Sequence, residues 1–125
     1  TMAINGFEEI TYELTDYEIN VLLPIMERGL RKRIGKENAI TSNEILDKCV
    51  NAGYKLNSAR IRKLINYIRV NHVIPFLMAS SKGYYIEHDK VKMIEYIESL
   101  EKRAKSIINV SVSLRKQLNN RFVGV

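Results

Sequence analysis

Along the chain, apolar residues recur at helical spacing in blocks separated by capping and turn residues. Thr15-Asp16-Tyr17-Glu18 reads as a capping box, in which the Thr15 hydroxyl accepts the Glu18 amide while the Glu18 carboxylate reaches back. Ile19, Leu22, Leu23, Met26, Leu30 and Ile34 follow as an apolar stripe, predicting a helix that ends near Gly35. Pro24 interrupts it: the ring has no amide to donate and crowds the carbonyl of Asn20, which predicts a kink. Ala39 and Ile40 predict a short extended piece. Thr41-Ser42-Asn43-Glu44 is a second capping box, opening a helix with Ile45, Leu46, Cys49 and Val50 inward and Gly53 as a left-handed stop. After the link Gly53-Tyr54-Lys55-Leu56, Asn57 or Ser58 caps a third helix over 58–71, with Ile61, Leu64, Ile65 and Ile68 inward.

The pattern then changes. Val73 to Ala79 is a continuous apolar run, with Pro75 tolerable only at an edge strand or its start. Ser80-Ser81-Lys82-Gly83 predicts a turn, and Tyr84-Tyr85-Ile86 a returning strand. Asp89 caps a long helix to about Asn119. Within it Met93, Ile97, Leu100, Ala104, Ile107, Ser111, Leu114 and Leu118 alternate spacings of four and three, an a/d seam. The expected organisation is an acidic arm over 1–14, a domain over 15–88, a long helix over 89–120 and a tail over 121–125. The fold class is mainly α with a small β-hairpin (α+β). Helix, short strand, helix, tight link, helix, hairpin and helix, in that order, is the plan of a winged helix-turn-helix domain followed by a long C-terminal helix.

Composition narrows the picture. Leu, Ile, Val and Phe make up 39 of 125 residues, ample for a core and far above the roughly 20% that marks disorder. A single Cys excludes a disulfide framework and a cysteine-based zinc finger. No uninterrupted apolar run exceeds seven residues, against the ~18–20 that span a bilayer, and no basic-plus-apolar leader begins the chain. A soluble cytoplasmic protein with no membrane partner is expected. The net charge of +6 conceals a gradient: residues 1–27 carry −6, residues 28–82 carry +9 and residues 83–125 carry +3. A basic middle beside an acidic head is the asymmetry of a face that meets a polyanion, although a merely solvated basic face would give the same sums.

The third helix sharpens this. With its inward row fixed, Ala59, Lys63, Asn66 and Val70 fall opposite the core, Arg62 and Tyr67 flank them, and Arg60 and Arg69 lie nearer the edges. A helix of this width fits the major groove, where Arg62 and Lys63 can take guanine acceptors or phosphates and Asn66 can pair with adenine. Amides at Ser58 and Ala59 can meet a phosphate. The expected partner is double-stranded DNA. The candidate contacts are Ser58, Ala59, Arg60, Arg62, Lys63, Asn66, Tyr67 and Arg69, with Lys82 on the wing, 79–85, touching the backbone. Arg28, Arg31, Lys32, Arg33 and Lys36 are either a second phosphate patch or cations complementing a helix C-terminus.

Gly35-Lys36-Glu37-Asn38-Ala39-Ile40-Thr41-Ser42-Asn43-Glu44-Ile45 resembles the first strand and second-helix entry of small phage and prophage winged-helix proteins. Residues Ser58 to Arg69 resemble their recognition helix, and Ala79 to Ile86 their Gly-Tyr-containing hairpin. The resemblance covers residues 35–86. It implies DNA binding in the regulation or replication of a mobile element, as a transcriptional regulator or replication accessory. A protein-docking adaptor on the same scaffold is the alternative.

Enzymatic readings fare poorly. Gly29 to Gly35 with Lys36 has five intervening residues where a phosphate-binding loop needs four, and Glu37 stands where Ser or Thr would bind magnesium. His72 and His88 show no metal-ligand spacing, and Cys49, on an inward helix face, has no paired base. The expectation is a non-enzyme without metal, cofactor or small-molecule ligand. For the long helix, Ile97, Leu100, Ala104, Ile107, Leu114 and Leu118 predict a homodimer whose recognition helices meet half-sites about one helical turn apart; packing back on the first helix is the alternative.

Overall fold

The computed structural model describes residues 13–123, and the chain divides into two units at the His88–Asp89 junction. Most of the arm expected over 1–14 and the last two residues of the tail lie outside the described residues.

The first unit opens on the Thr15–Glu18 capping box: the Glu18 amide donates to Thr15 Oγ1 at 3.2 Å and the Thr15 amide to Glu18 Oε1 at 2.8 Å. Glu18–Leu22 then forms a π-helical turn, and α1 follows over Leu23–Leu30. The Leu23 amide closes on the Glu18 carbonyl, five residues back. Pro24 cannot supply the bond that would have continued an α-helical ladder, so the expected kink takes the form of a widened turn just before it. The helix ends at Leu30 rather than near Gly35. Beyond it the backbone is claimed by the hairpin, with the Ile86 amide donating to the Arg33 carbonyl at 2.7 Å and the Gly35 amide to the Ile86 carbonyl at 2.9 Å. Gly35 turns at φ 85°, and Lys36–Asn38 is a 3₁₀ turn. Both ends of the expected stripe, Ile19 and Ile34, are therefore exposed.

Helix α2 spans Ser42–Asn51 and carries its complete capping box, Thr41 and Glu44 exchanging two bonds of 3.1 Å. It buries Ile45 and Cys49, whereas Val50, expected inward, is exposed. Gly53 has φ 91°, the left-handed stop expected of it. Helix α3 spans Ser58–Val70, with Asn57 Oδ1 accepting the Arg60 amide at 2.8 Å. All four residues expected on its inner row, Ile61, Leu64, Ile65 and Ile68, are buried.

The antiparallel hairpin is shorter than the apolar run. Strand β1 is Leu77–Ser80 and β2 is Gly83–Ile86, paired from Leu77↔Ile86 to Ser80↔Gly83. His72 and Phe76 both take φ 58°, so the chain turns between them and Pro75 lies in that turn, not in a strand. The expected extended piece at Ile40 is present as a two-bond bridge to Tyr84, at 3.0 and 2.8 Å. A β-carbon on Gly83, at φ 117°, would run into the Ile40 carbonyl and the Thr41 amide. That close approach requires glycine. The core is built from α1, α2, α3, Ile40, Ile74 and the hairpin residues Leu77 and Ile86.

The second unit is helix α4, Lys90–Arg121, capped by Asp89 Oδ1 accepting the Val91 amide at 2.8 Å. None of its residues is buried. Among the described residues no helix is long and apolar enough to cross a membrane.

Candidate nucleic-acid interface

Helix α3 is held by its inner row, so its other flanks depend on what approaches them. Ser58, Ala59, Arg62 and Val70 are exposed; Asn66, Tyr67 and Arg69 are half-buried. Arg62 thus stands where the helical reading put it.

Arg60 and Lys63 do not. Both point at Glu18, which is 2% exposed although it is a carboxylate. Arg60 Nε donates to Glu18 Oε2 at 2.9 Å, and Lys63 Nζ to Glu18 Oε1 at 2.8 Å. With the Thr15 amide, three donors converge on one carboxylate. Burial alone would raise its pKa. The bonds from Lys63, the Thr15 amide and Arg60 outweigh that and hold it at about 2. The Tyr17 ring lies 5.3 Å below the Arg60 guanidinium, and its hydroxyl accepts the Lys55 amide at 2.8 Å. The turn before α1 therefore clasps the start of α3 and the link that precedes it.

Lys63 is thus not an open cation opposite the core, as the helical angle alone implied. Its side chain is only 22% exposed, and it bends along the flank to reach Glu18. The spacing carries half of this, the need of Glu18 for a partner, but not the identity of that partner. Glu18, Leu22, Met26 and Leu30 recur every four residues, and all four are buried. An acid at the head of a core stripe needs a buried-side partner.

The hairpin ends in the two residues Ser81 and Lys82, with the Lys82 amide donating to Ser80 Oγ at 3.1 Å and the Lys82 side chain exposed. Between this tip and the start of α2 runs a groove of 290 Å³ lined by Thr41, Ser42, Asn43, Ser80, Ser81 and Tyr84, among others. Of the second basic group, Arg31 donates to the Val73 carbonyl at 2.9 Å and pairs with Glu27, and Arg33 donates to the Asn38 carbonyl at 3.4 Å. Arg28, Lys32 and Lys36 are exposed. That group divides into two cations with structural bonds and three open to solvent.

Cys49 is buried, and burial raises its thiol pKa. No group of three or more His, Cys, Asp or Glu side chains suited to a metal ion occurs among the described residues. The six seam residues, Ile97, Leu100, Ala104, Ile107, Leu114 and Leu118, are all exposed. Comparison of the chain with family models, curated proteins and solved structures finds no match.

Proposed function

We propose that this chain binds double-stranded DNA as a winged helix-turn-helix protein of regulatory or replication-accessory type, with α3 in the major groove and the β1–β2 tip as the wing. The observation that carries the reading is the outer aspect of α3: a helix locked by four buried residues, joined closely to α2, that leaves Ser58, Ala59 and Arg62 exposed. Asn66 and Arg69 lie on the same aspect, with Asn66 suited to adenine and Arg62 to guanine or phosphate. Lys82 at the exposed tip is the cation for an adjacent phosphate.

The clasp by Glu18 reshapes the contact set. Arg60 and Lys63 serve the fold first, and Arg62 becomes the principal cation of the interface. The test is anisotropy titration of a labelled random-sequence duplex pool at about 50 mM salt, followed by a salt series. Binding is expected to weaken with a log–log slope of roughly −0.9 per phosphate neutralised. Absence of binding would overturn the reading and leave the protein-docking adaptor in its place.

A further inference from the structure

Helix α4 has 32 residues and buries none of them, while Ile97, Leu100, Ile107, Leu114 and Leu118 are all more than a third exposed. Helical order over such a length in water depends on covering an apolar face. What covers it is written in the charges. The acids of α4, Glu95, Glu98 and Glu101, all lie in its first twelve residues, where Lys90 and Lys92 leave a net charge of −1; Lys102, Arg103 and Lys105 come next, and no acid follows Glu101. Ser106 to Leu114 carries no charge, and Arg115, Lys116 and Arg121 make the C-terminal end purely basic.

We infer that the α4 seam pairs with α4 of a second copy of this chain in antiparallel orientation, about a two-fold axis near Asn109. The stretch that holds all three acids of each helix then lies along the purely basic end of the other, and the helix dipoles oppose. In heptad terms Ile97, Ala104, Ser111 and Leu118 are a positions, and Met93, Leu100, Ile107 and Leu114 are d positions. Antiparallel packing sets a against d. Leu100 meets the partner's Leu118, Ala104 meets the partner's Leu114, and Ile107 meets the partner's Ser111. Each small residue stands opposite a large one, as a filled core requires. Beside the seam, Glu101 meets the partner's Arg115, twice by symmetry. A parallel pair would set Ala104 and Ser111 each against its own copy, leaving voids, and would place the partner's Tyr96 rather than Arg115 beside Glu101.

The arrangement has a geometric corollary. At 1.5 Å per residue the two α4 N-termini lie roughly 57 Å apart along the axis. That exceeds the ~34 Å of one DNA turn, so a one-turn half-site spacing does not follow from this dimer.

The test uses the full chain and needs no DNA, so its outcome is separate from that of the binding assay. Light scattering is expected to give about 29 kDa, twice the 14.5 kDa of one chain. In a Cys49→Ala background, Leu100→Cys and Leu118→Cys are oxidised separately, and together after subunit exchange. Only the mixture is expected to give a disulfide-linked dimer. Self-linking of either variant alone, a mass near that of one chain, or a dimer in which the mixture fails to link would each overturn the proposal.

Discussion

Glu18 and Lys63, 45 positions apart in the chain, meet at 2.8 Å and tie the turn before α1 to the flank of α3. The bond couples the acidic head of the sequence to its basic middle by contact, where the charge sums only set them side by side.

Acid stability should report this carboxylate. Its pKa falls from an ordinary 4.5 to about 2 on folding, so the unfolded chain takes up the proton first as pH drops. The stability it contributes is full above about 4.5 and is lost as pH falls towards 2. Urea unfolding from pH 6 to pH 2.5 is expected to show that decline, and Glu18→Gln is expected to flatten that part of it. At pH 7, Glu18→Ala should cost about 2–4 kcal/mol, since it leaves two cations unpaired and removes the carboxylate half of the capping box.

The same clasp makes the DNA reading selective among cations. Arg62→Ala is expected to weaken duplex binding about tenfold at low salt and to lower the salt slope by about one. Lys63→Ala should do less, because that charge is already committed to Glu18. Glu18→Gln should strengthen low-salt binding and steepen the slope, since Arg60 and Lys63 are released. If Lys63→Ala weakened binding as much as Arg62→Ala, the assignment of these two residues would be wrong.

Two glycines with positive φ separate strain from space. An added β-carbon at Gly53 meets nothing within 4 Å, so Gly53→Ala should cost only about 1 kcal/mol for the left-handed backbone. At Gly83 the backbone of Ile40 and Thr41 stands in the way. Gly83→Ala should cost about 2–4 kcal/mol by combining strain with the displaced bridge. Denaturant midpoints of the two variants compare them directly.

Cys49 lines an apolar cavity of 130 Å³ together with Ile25, Met26, Leu30, Ile40 and Ile45, among others. Buried and with its pKa raised, its thiol should react with an aromatic disulfide reagent at pH 8 far more slowly than a free thiol. Adding urea through the unfolding transition should restore the ordinary rate.

Much of this was legible because it is local. Both capping boxes rest on a spacing of three residues, and the buried row of α3 on spacings of three and four, so periodicity alone finds them. Several of the readings that changed depend on distant partners or on backbone turns that side-chain pattern does not encode. The first helix stops at Leu30 because Arg33 and Gly35 bond to Ile86, some fifty positions on. The first strand loses Val73–Phe76 to a turn at His72 and Phe76, whose φ of 58° no apolar pattern encodes. Lys63 turns aside to an acid that its own helix cannot reveal. On the candidate interface, the exposed positions of Arg62 and Lys82 are readable from angle and turn chemistry, whereas the commitment of Arg60 and Lys63 to Glu18 is not.

The bridge between Ile40 and Tyr84 bears on how the hairpin carries load. A two-stranded ribbon alone is only marginally stable in water. Here β2 is gripped along its free edge by Ile40 and by Arg33 and Gly35, and the residue after Ile40 is the cap of α2. A pull applied at Lys82 therefore passes through Tyr84 and Ile40 to the first turn of α2 before it can peel the strands apart. The Tyr84 and Ile86 amides, locked in those bridges, should be among the last hydrogens of the hairpin to exchange with solvent, and the Lys82 amide at the tip among the first.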